Sequence, residues 1–343
     1  MMSKVSSLSL ENFGVIPSFD CDSFSRINLI IGENGTGKTF LLKALYSIVR
    51  AMEDYHRGDD VNEFNDLLAE KLRWTFQIEK LGDLVTRSSD SDILSLNMKL
   101  GDDQVGYQFS QSAMKKITTF DSPKCNRGTN SIFIPAKEVL SLYSVILKSR
   151  EVDRSFGFDD TYYDLAKALR IAPTLGKNYK SFSDSRKDLK DIIDGKVELD
   201  DDSGKWYYKN SYNQKFSIGA TAEGIKRLAI MDRLLANGYL DDQSIIFIDE
   251  IESALHPSAI LRFLDMIAML AEKTKLQFFI SSHSYFVIKK LAILAMDHPD
   301  FITCISLNKD GQPDICDLSG GMPENSIIDT SIKIYDEEIE KGL

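Results

Sequence analysis

Cysteine is scarce in this chain. The four present, Cys21, Cys125, Cys304 and Cys316, are scattered and form no CxxC pair. That pattern excludes a zinc knuckle or a disulfide framework and predicts four reduced thiols. Long apolar runs are missing too. None approaches the ~20 residues needed to span a bilayer, and the opening MMSKVSSLSLENFG has no apolar signal core. Both absences predict a cytoplasmic protein without a membrane domain. Cations are outnumbered, 41 Lys and Arg against 52 Asp and Glu, for a net charge of −11. Tight non-specific nucleic-acid binding needs clustered cations, so this balance argues against it and leaves a specific nucleic-acid contact open. Sustained heptads, internal repeats and low-complexity tracts are absent as well, which excludes a long coiled coil.

What is present reads as α/β. A first strand is expected over 5–10, and an almost wholly apolar one over 27–31, as for a central parallel strand buried on both faces. A Gly-rich turn follows, then a helix over 37–55. Residues 60–130 mix a helix with short strands, an antiparallel lobe, and Ile132–Ile134 is another strand. Helices are expected over 137–149, 160–170 and 184–194, then a hairpin of 196–199 with 206–209 turning through 201–204. From Thr221 the pattern is regular: helix 222–236, strand Ile245–Ile248, helix 257–272, strand 276–280, helix 285–296, strand 301–307. This alternation predicts parallel βαβ units. The expected division is 1–135 and 216–310 for the two parts of a core, 136–215 for an inserted, mainly helical lobe, and 311–343 for a tail whose helix, 327–339, carries one apolar face.

Four motifs carry chemistry. Gly32-Glu33-Asn34-Gly35-Thr36-Gly37-Lys38-Thr39 is a full GxxxxGK[ST] match, with the apolar strand before it and the helix after it. Its backbone amides would cradle phosphate oxygens at a helix N-terminus. Lys38 would reach the β- and γ-phosphates of ATP, and Thr39 would ligate Mg²⁺. The second motif ends the strand Ile245–Ile248 with Asp249-Glu250, at the strand tip where open α/β sheets bind ligands. Asp249 is the second candidate Mg²⁺ residue and Glu250 the candidate general base for an attacking water. Third, His283 follows the next strand, where an imidazole could sense the γ-phosphate; a surface or capping role is the plain alternative. Fourth, Thr221-Ala222-Glu223-Gly224 opens a helix upstream of Asp249.

The order of these motifs resembles the ABC-type ATPases. The resemblance implies an ABC-type P-loop head with a mixed central sheet, an antiparallel β lobe and an inserted helical subdomain. It makes the helix start a signature motif in which Thr221, Ala222 and Gly224 face the nucleotide of an opposing subunit. Ala222 stands where that family has Ser, and Thr221 is the candidate substitute for the lost hydroxyl. Glu252-Ser253-Ala254-Leu255-His256-Pro257 resembles the DEPExxLHP run of OLD-like and repair-type soluble members, with Ile251 in place of Pro. Ile132-Phe133-Ile134-Pro135-Ala136-Lys137-Glu138 is similar to their Q-loop segment but lacks its Gln, leaving Lys137 or Glu138 to approach the metal region. Phe13 falls where some heads stack adenine, although a core aromatic is the favoured reading there. The resemblance implies a head-to-tail homodimer with two ATP–Mg²⁺ sites. It also implies regulation of a separately encoded effector, a nuclease or toxin, in anti-phage defence. The alternatives are a recF-like repair or recombination ATPase that clamps DNA, and a module that holds ATP structurally.

Overall fold

The computed structural model describes residues 4–58, 62–87, 91–124, 126–173, 182–200, 202–308 and 313–342. Cys125 and Asp201 lie outside them. In chain order the strands are β1 (Val5–Phe13), β2 (Ile16–Cys21), β3 (Ile27–Gly32), β4 (Ile93–Leu100), β5 (Asp103–Ser110), β6 (Thr119–Asp121), β7 (Ile132–Ile134), β8 (Gly195–Asp200), β9 (Lys205–Asn210), β10 (Lys215–Ser217), β11 (Ile245–Ile248), β12 (Gln277–Ser281), β13 (Ile302–Leu307) and β14 (Asp314–Asp317). The helices are α1 (Lys38–Asp54), α2 (Phe64–Phe76), α3 (Tyr143–Glu151), α4 (Asp160–Arg170), α5 (Ser183–Ile193), α6 (Glu223–Ala236), α7 (Pro257–Lys273), α8 (Tyr285–Asp297) and α9 (Ser326–Lys341).

The central sheet runs β14-β13-β3-β12-β11-β7, parallel except for the β14 edge. Its inner strands are buried along their whole length and mainly apolar, because both faces are covered. Ile246, Ile248, Phe278 and Ile280 pack on one side with α4 to α8. Ile245, Phe247 and Phe279, the alternate residues, pack on the other with α1, α2 and the antiparallel sheet. Each such buried side chain contributes roughly 1.5–3 kcal/mol. The antiparallel sheet is β2-β1-β4-β5-β6, so the first strand belongs to the lobe. Gln277 ties the two sheets: its side-chain amide accepts from the Val5 amide and donates to the Val5 carbonyl, both at 2.9 Å. Phe13 is fully buried against Phe40 and Phe76, as a core aromatic.

The inserted hairpin is a three-stranded sheet, β10-β9-β8. Its third strand is three residues long with no buried position, so no hydrophobic pattern announced it. The helix expected from 137 starts only at Tyr143, because the Glu138 carboxylate accepts the Ser141 amide at 2.8 Å and holds an intervening turn. Cys304 and Cys316, distant in sequence, are register partners across β13 and β14. Among the described residues no helix is long and apolar enough to cross a membrane.

Candidate nucleotide site

Three neighbouring strands, β3, β12 and β11, end on one edge of the central sheet, and their loops build the site. After β3 the chain turns sharply. Gly32 (φ 148°) passes so close to β13 that a Cβ there would sit 2.5 Å from the Leu307 carbonyl oxygen. Gly37, at φ 97°, is the N-cap of α1, and a side chain there would press on Ile16 at 2.8 Å. Only glycine meets both conditions without strain. Asn34 and Gly35 form the exposed crown of the loop. Thr36 is buried and its hydroxyl donates to the Glu33 carbonyl at 2.9 Å, so it braces the loop from inside. The first amides of α1 have no intrahelical acceptor, and they present the positive end of the helix to the loop.

Lys38 is folded onto this loop, its Nζ donating to the Gly32 and Glu33 carbonyls at 2.8 Å each. Burial lowers its pKa, and the carboxylates of Glu250, Asp249 and Glu252 pull the other way. The lysine therefore lies within the field of the acidic strand tip.

The two main motifs meet directly. The Thr39 hydroxyl is 2.9 and 3.0 Å from the carboxylate oxygens of Asp249, 210 residues along the chain. Ser281, the last residue of β12, donates its hydroxyl to Asp249 Oδ1 at 2.6 Å and accepts the Glu250 amide at 2.8 Å. Its carbonyl accepts from the Ile251 amide at 3.2 Å. Three bonds from one serine thus set the turn after β11. That turn holds Glu250 at φ 46°, a left-handed conformation that costs a glutamate on the order of 1 kcal/mol or more. The oxygens of Thr39 and Asp249 are hard donors that suit Mg²⁺, and they already converge within hydrogen-bonding distance.

His283 sits at the same sheet edge with its side chain half exposed. Glu252 holds it twice, accepting the His283 amide at 2.8 Å and lying 3.2 Å from Nδ1. His256 is spoken for as the cap of α7, its Nδ1 accepting the Ser258 amide at 3.3 Å.

At the start of α6, Ala222 is the N-cap and, with Glu223, faces solvent. Thr221 is different: it is buried, and its hydroxyl donates to the Ser217 carbonyl at 3.2 Å within its own chain. The hydroxyl considered as a stand-in for serine therefore points inward here, because the preceding turn captures it. Gly224 packs against the Glu252–Pro257 loop, where a Cβ would lie 2.8 Å from the Ala254 carbonyl oxygen. Backbone cannot yield as a flexible side chain can. Gly224→Ala is expected to cost about 1–3 kcal/mol by overpacking. Urea unfolding checks this, and an unchanged midpoint would show the contact to be loose.

The sequence reading missed Ser281 as a site residue, and it missed Arg227 entirely. Arg227 on α6 is buried beneath Asp249, with a guanidinium that donates to the main-chain carbonyls of Asp249, Ala136 (3.0 Å) and Pro135 (3.3 Å). Burial pulls its pKa down to about 10, against the attraction of Asp249, Glu252 and Glu250. It thus joins the α6 helix, the β11 tip and the segment after β7. Lys137 and Glu138 do not take that place: Lys137 is exposed and Glu138 caps a turn. A Lys-Arg pair early in a helix reads as surface, so nothing local marked Arg227.

A family model described as "AAA domain, putative AbiEii toxin, Type IV TA system" matches residues 27–289. No curated protein matches the chain. Among solved structures, an SMC head bound to the C-winged helix domain of ScpA superposes with a TM-score of 0.54 at 12% identity, covering 91% of this chain and 97% of that one. The SMC head domain from Thermotoga maritima gives 0.49 at 12% identity over 92% and 98%. An SMC head with an extended coiled coil, bound to the C-terminal domain of ScpA derived from Pyrococcus furiosus, gives 0.49 at 13% over 97% and 99%. At 12% identity, the likeness at a TM-score of 0.54 is one of fold.

Proposed function

This chain belongs to the AAA-domain family described as "putative AbiEii toxin, Type IV TA system", and from that premise we propose that it is an ABC-type head that hydrolyses ATP as a head-to-tail homodimer. The observation that carries the reading is the Thr39–Asp249 contact at 2.9 Å, which joins the phosphate loop to the acidic strand tip.

In this reading the amides from Asn34 to Thr39 hold the triphosphate, and Lys38 exchanges its two loop carbonyls for phosphate oxygens. Thr39 and Asp249 would hold Mg²⁺, which when bound offsets the phosphates' negative charge. Glu250 takes the proton of the attacking water, and His283 stands by the γ-phosphate. The exposed start of α6, with Ala222 and Gly224, meets the nucleotide held by the second subunit. The work of the cycle falls on a separately encoded effector, a nuclease or toxin in a cytoplasmic anti-phage system; the toxin–antitoxin wording of the family description supports that setting. The OLD-like affiliation rests on the Glu252–Pro257 run.

One observation favours a rival. With Ala222 lacking a hydroxyl and Thr221 turned inward, a module that holds ATP without turnover would lose nothing. Mass measurement by light scattering separates the readings. The wild type with ATP and Mg²⁺ is expected to shift from monomer to dimer, and Lys38→Ala is expected to stay monomeric. A wild type with no ATP-dependent dimer and no phosphate release would defeat the proposal.

A further inference from the structure

We propose that the C-terminal helix α9 is a docking surface for a basic, amphipathic helix of another protein. The inference goes beyond the ATPase reading and does not depend on turnover. Helix α9 is built to be helical. The Asn325 side chain accepts the Ile327 amide at 3.0 Å, and Gly342, at φ 68°, closes the far end by donating to the Glu338 and Ile339 carbonyls. Yet none of its residues is buried. Ile327 and Ile328 rest on the core beside α8. Beyond them Ile332, Tyr335 and Ile339 share one face at 53%, 62% and 60% exposure, and Ile334, at 56%, lies off it. Large apolar side chains gathered on one exposed face mark an interaction site more than a random surface does.

Their spacing is specific. Ile328, Ile332, Tyr335 and Ile339 follow one another at intervals of four, three and four, the seam repeat of a two-helix coil. A helix of this length is marginal in water by itself, so covering the seam would also stabilise it.

The flanks identify the occupant. The positions bordering the seam are Asp329, Ser331, Asp336 and Glu338, while Lys333 and Lys341 lie round the far side. Among the described residues no ion pair engages these three carboxylates. An antiparallel second copy would set Asp329 against Asp336, and a parallel one would set Asp336 against Ser331; neither offers these carboxylates a cation, so self-pairing gains no ion pair beside the seam. A helix with aliphatic seam residues flanked by Lys or Arg meets both the apolar and the electrostatic demand. Its seat leans on α8, which begins two residues after His283, so the partner would lie one helix from the phosphate end of the nucleotide site.

The test uses the full chain and a designed, fluorescent helical peptide with an aliphatic seam and lysine flanks. A scrambled peptide of equal composition and an acid-flanked peptide serve as comparators. The lysine-flanked peptide is expected to bind roughly tenfold or more tighter than the scrambled one. Ile332→Ser combined with Ile339→Ser should abolish that preference, with circular dichroism and the unfolding midpoint unchanged. Asp329→Lys, Asp336→Lys and Glu338→Lys together should transfer it to the acid-flanked peptide. Three results would overturn the proposal: equal binding of the scrambled peptide, a wild-type dimer without nucleotide that the double serine variant dissociates, or seam-dependent binding to phosphatidylglycerol vesicles in place of the peptide.

Discussion

Glu250→Gln is expected to slow ATP turnover by about 10²–10⁴-fold, the usual contribution of a positioned general base. The substitution removes one proton acceptor and little else. The backbone at position 250 is fixed from outside the side chain, by the Ser281 hydroxyl on its amide (2.8 Å) and by its own carbonyl, which accepts the Ser253 amide at 2.8 Å. Glutamine is near-isosteric and inherits the same φ of 46°, so folding stability and nucleotide affinity should stay close to wild type. Because the chemical step would be blocked while binding persists, the variant should accumulate as an ATP-held dimer. Phosphate release measured beside light scattering reads both effects at once. A rate within twofold of an active wild type would remove Glu250 from the chemistry, and negligible rates in both proteins would favour the structural ATP module.

The second large effect is on stability. Lys71→Met is expected to cost about 3–5 kcal/mol, because it strands buried carboxylates. Lys71 on α2 lies between Asp160 Oδ2 (2.8 Å) and Asp164 Oδ2 (2.9 Å) on α4. Burial opposes charge on Lys71, but those two carboxylates outweigh it and raise its pKa. Burial likewise pushes Asp164 up, and the charges of Lys71 and Arg50 more than offset it, bringing it to about 2. The phosphate-loop helix α1 joins the same network, with the Tyr46 hydroxyl donating to Asp164 at 2.6 Å and Lys43 paired to Asp159 at 2.7 Å. The network therefore clamps the inserted helix α4 onto α1 and α2. Adding Asp160→Asn and Asp164→Asn to Lys71→Met should recover much of the loss, since neither position 160 nor 164 then carries a stranded charge, while Arg150, which pairs with Asp160 at 3.3 Å, keeps Glu70 at 4.0 Å. Urea denaturation of the single and triple variants checks this. Equal destabilisation of both would show that lost packing, not stranded charge, sets the cost.

The outline of the fold was readable wherever burial imposed a local pattern. β11 was expected over Ile245–Ile248 and α4 over 160–170, and the structure has both at those bounds. The first is apolar on both faces; the second has Asp159 as its N-cap, accepting the Thr161 amide. Polar edge strands escaped, whereas the apolar edge strand β7 was expected at Ile132–Ile134. β14 is polar and half exposed, and β2 carries Pro17, so neither shows the apolar run that marks a central strand. The phosphate loop was readable for another reason: its glycines answer a backbone requirement that holds whatever the rest of the chain does.

The sequence by itself determined that a glycine loop, a lysine and a carboxylate-tipped strand exist, because each depends on residues within a few positions of one another. Only the tertiary structure decided that Ser281 clamps Asp249 and Glu250, that Arg227 lies beneath them, and that Thr221 turns inward. It also decided that Lys71 neutralises acids 89 and 93 residues away. Such contacts arise when packing brings distant elements together, and a hydroxyl or a cation carries no mark in its own neighbourhood of the partner it will meet.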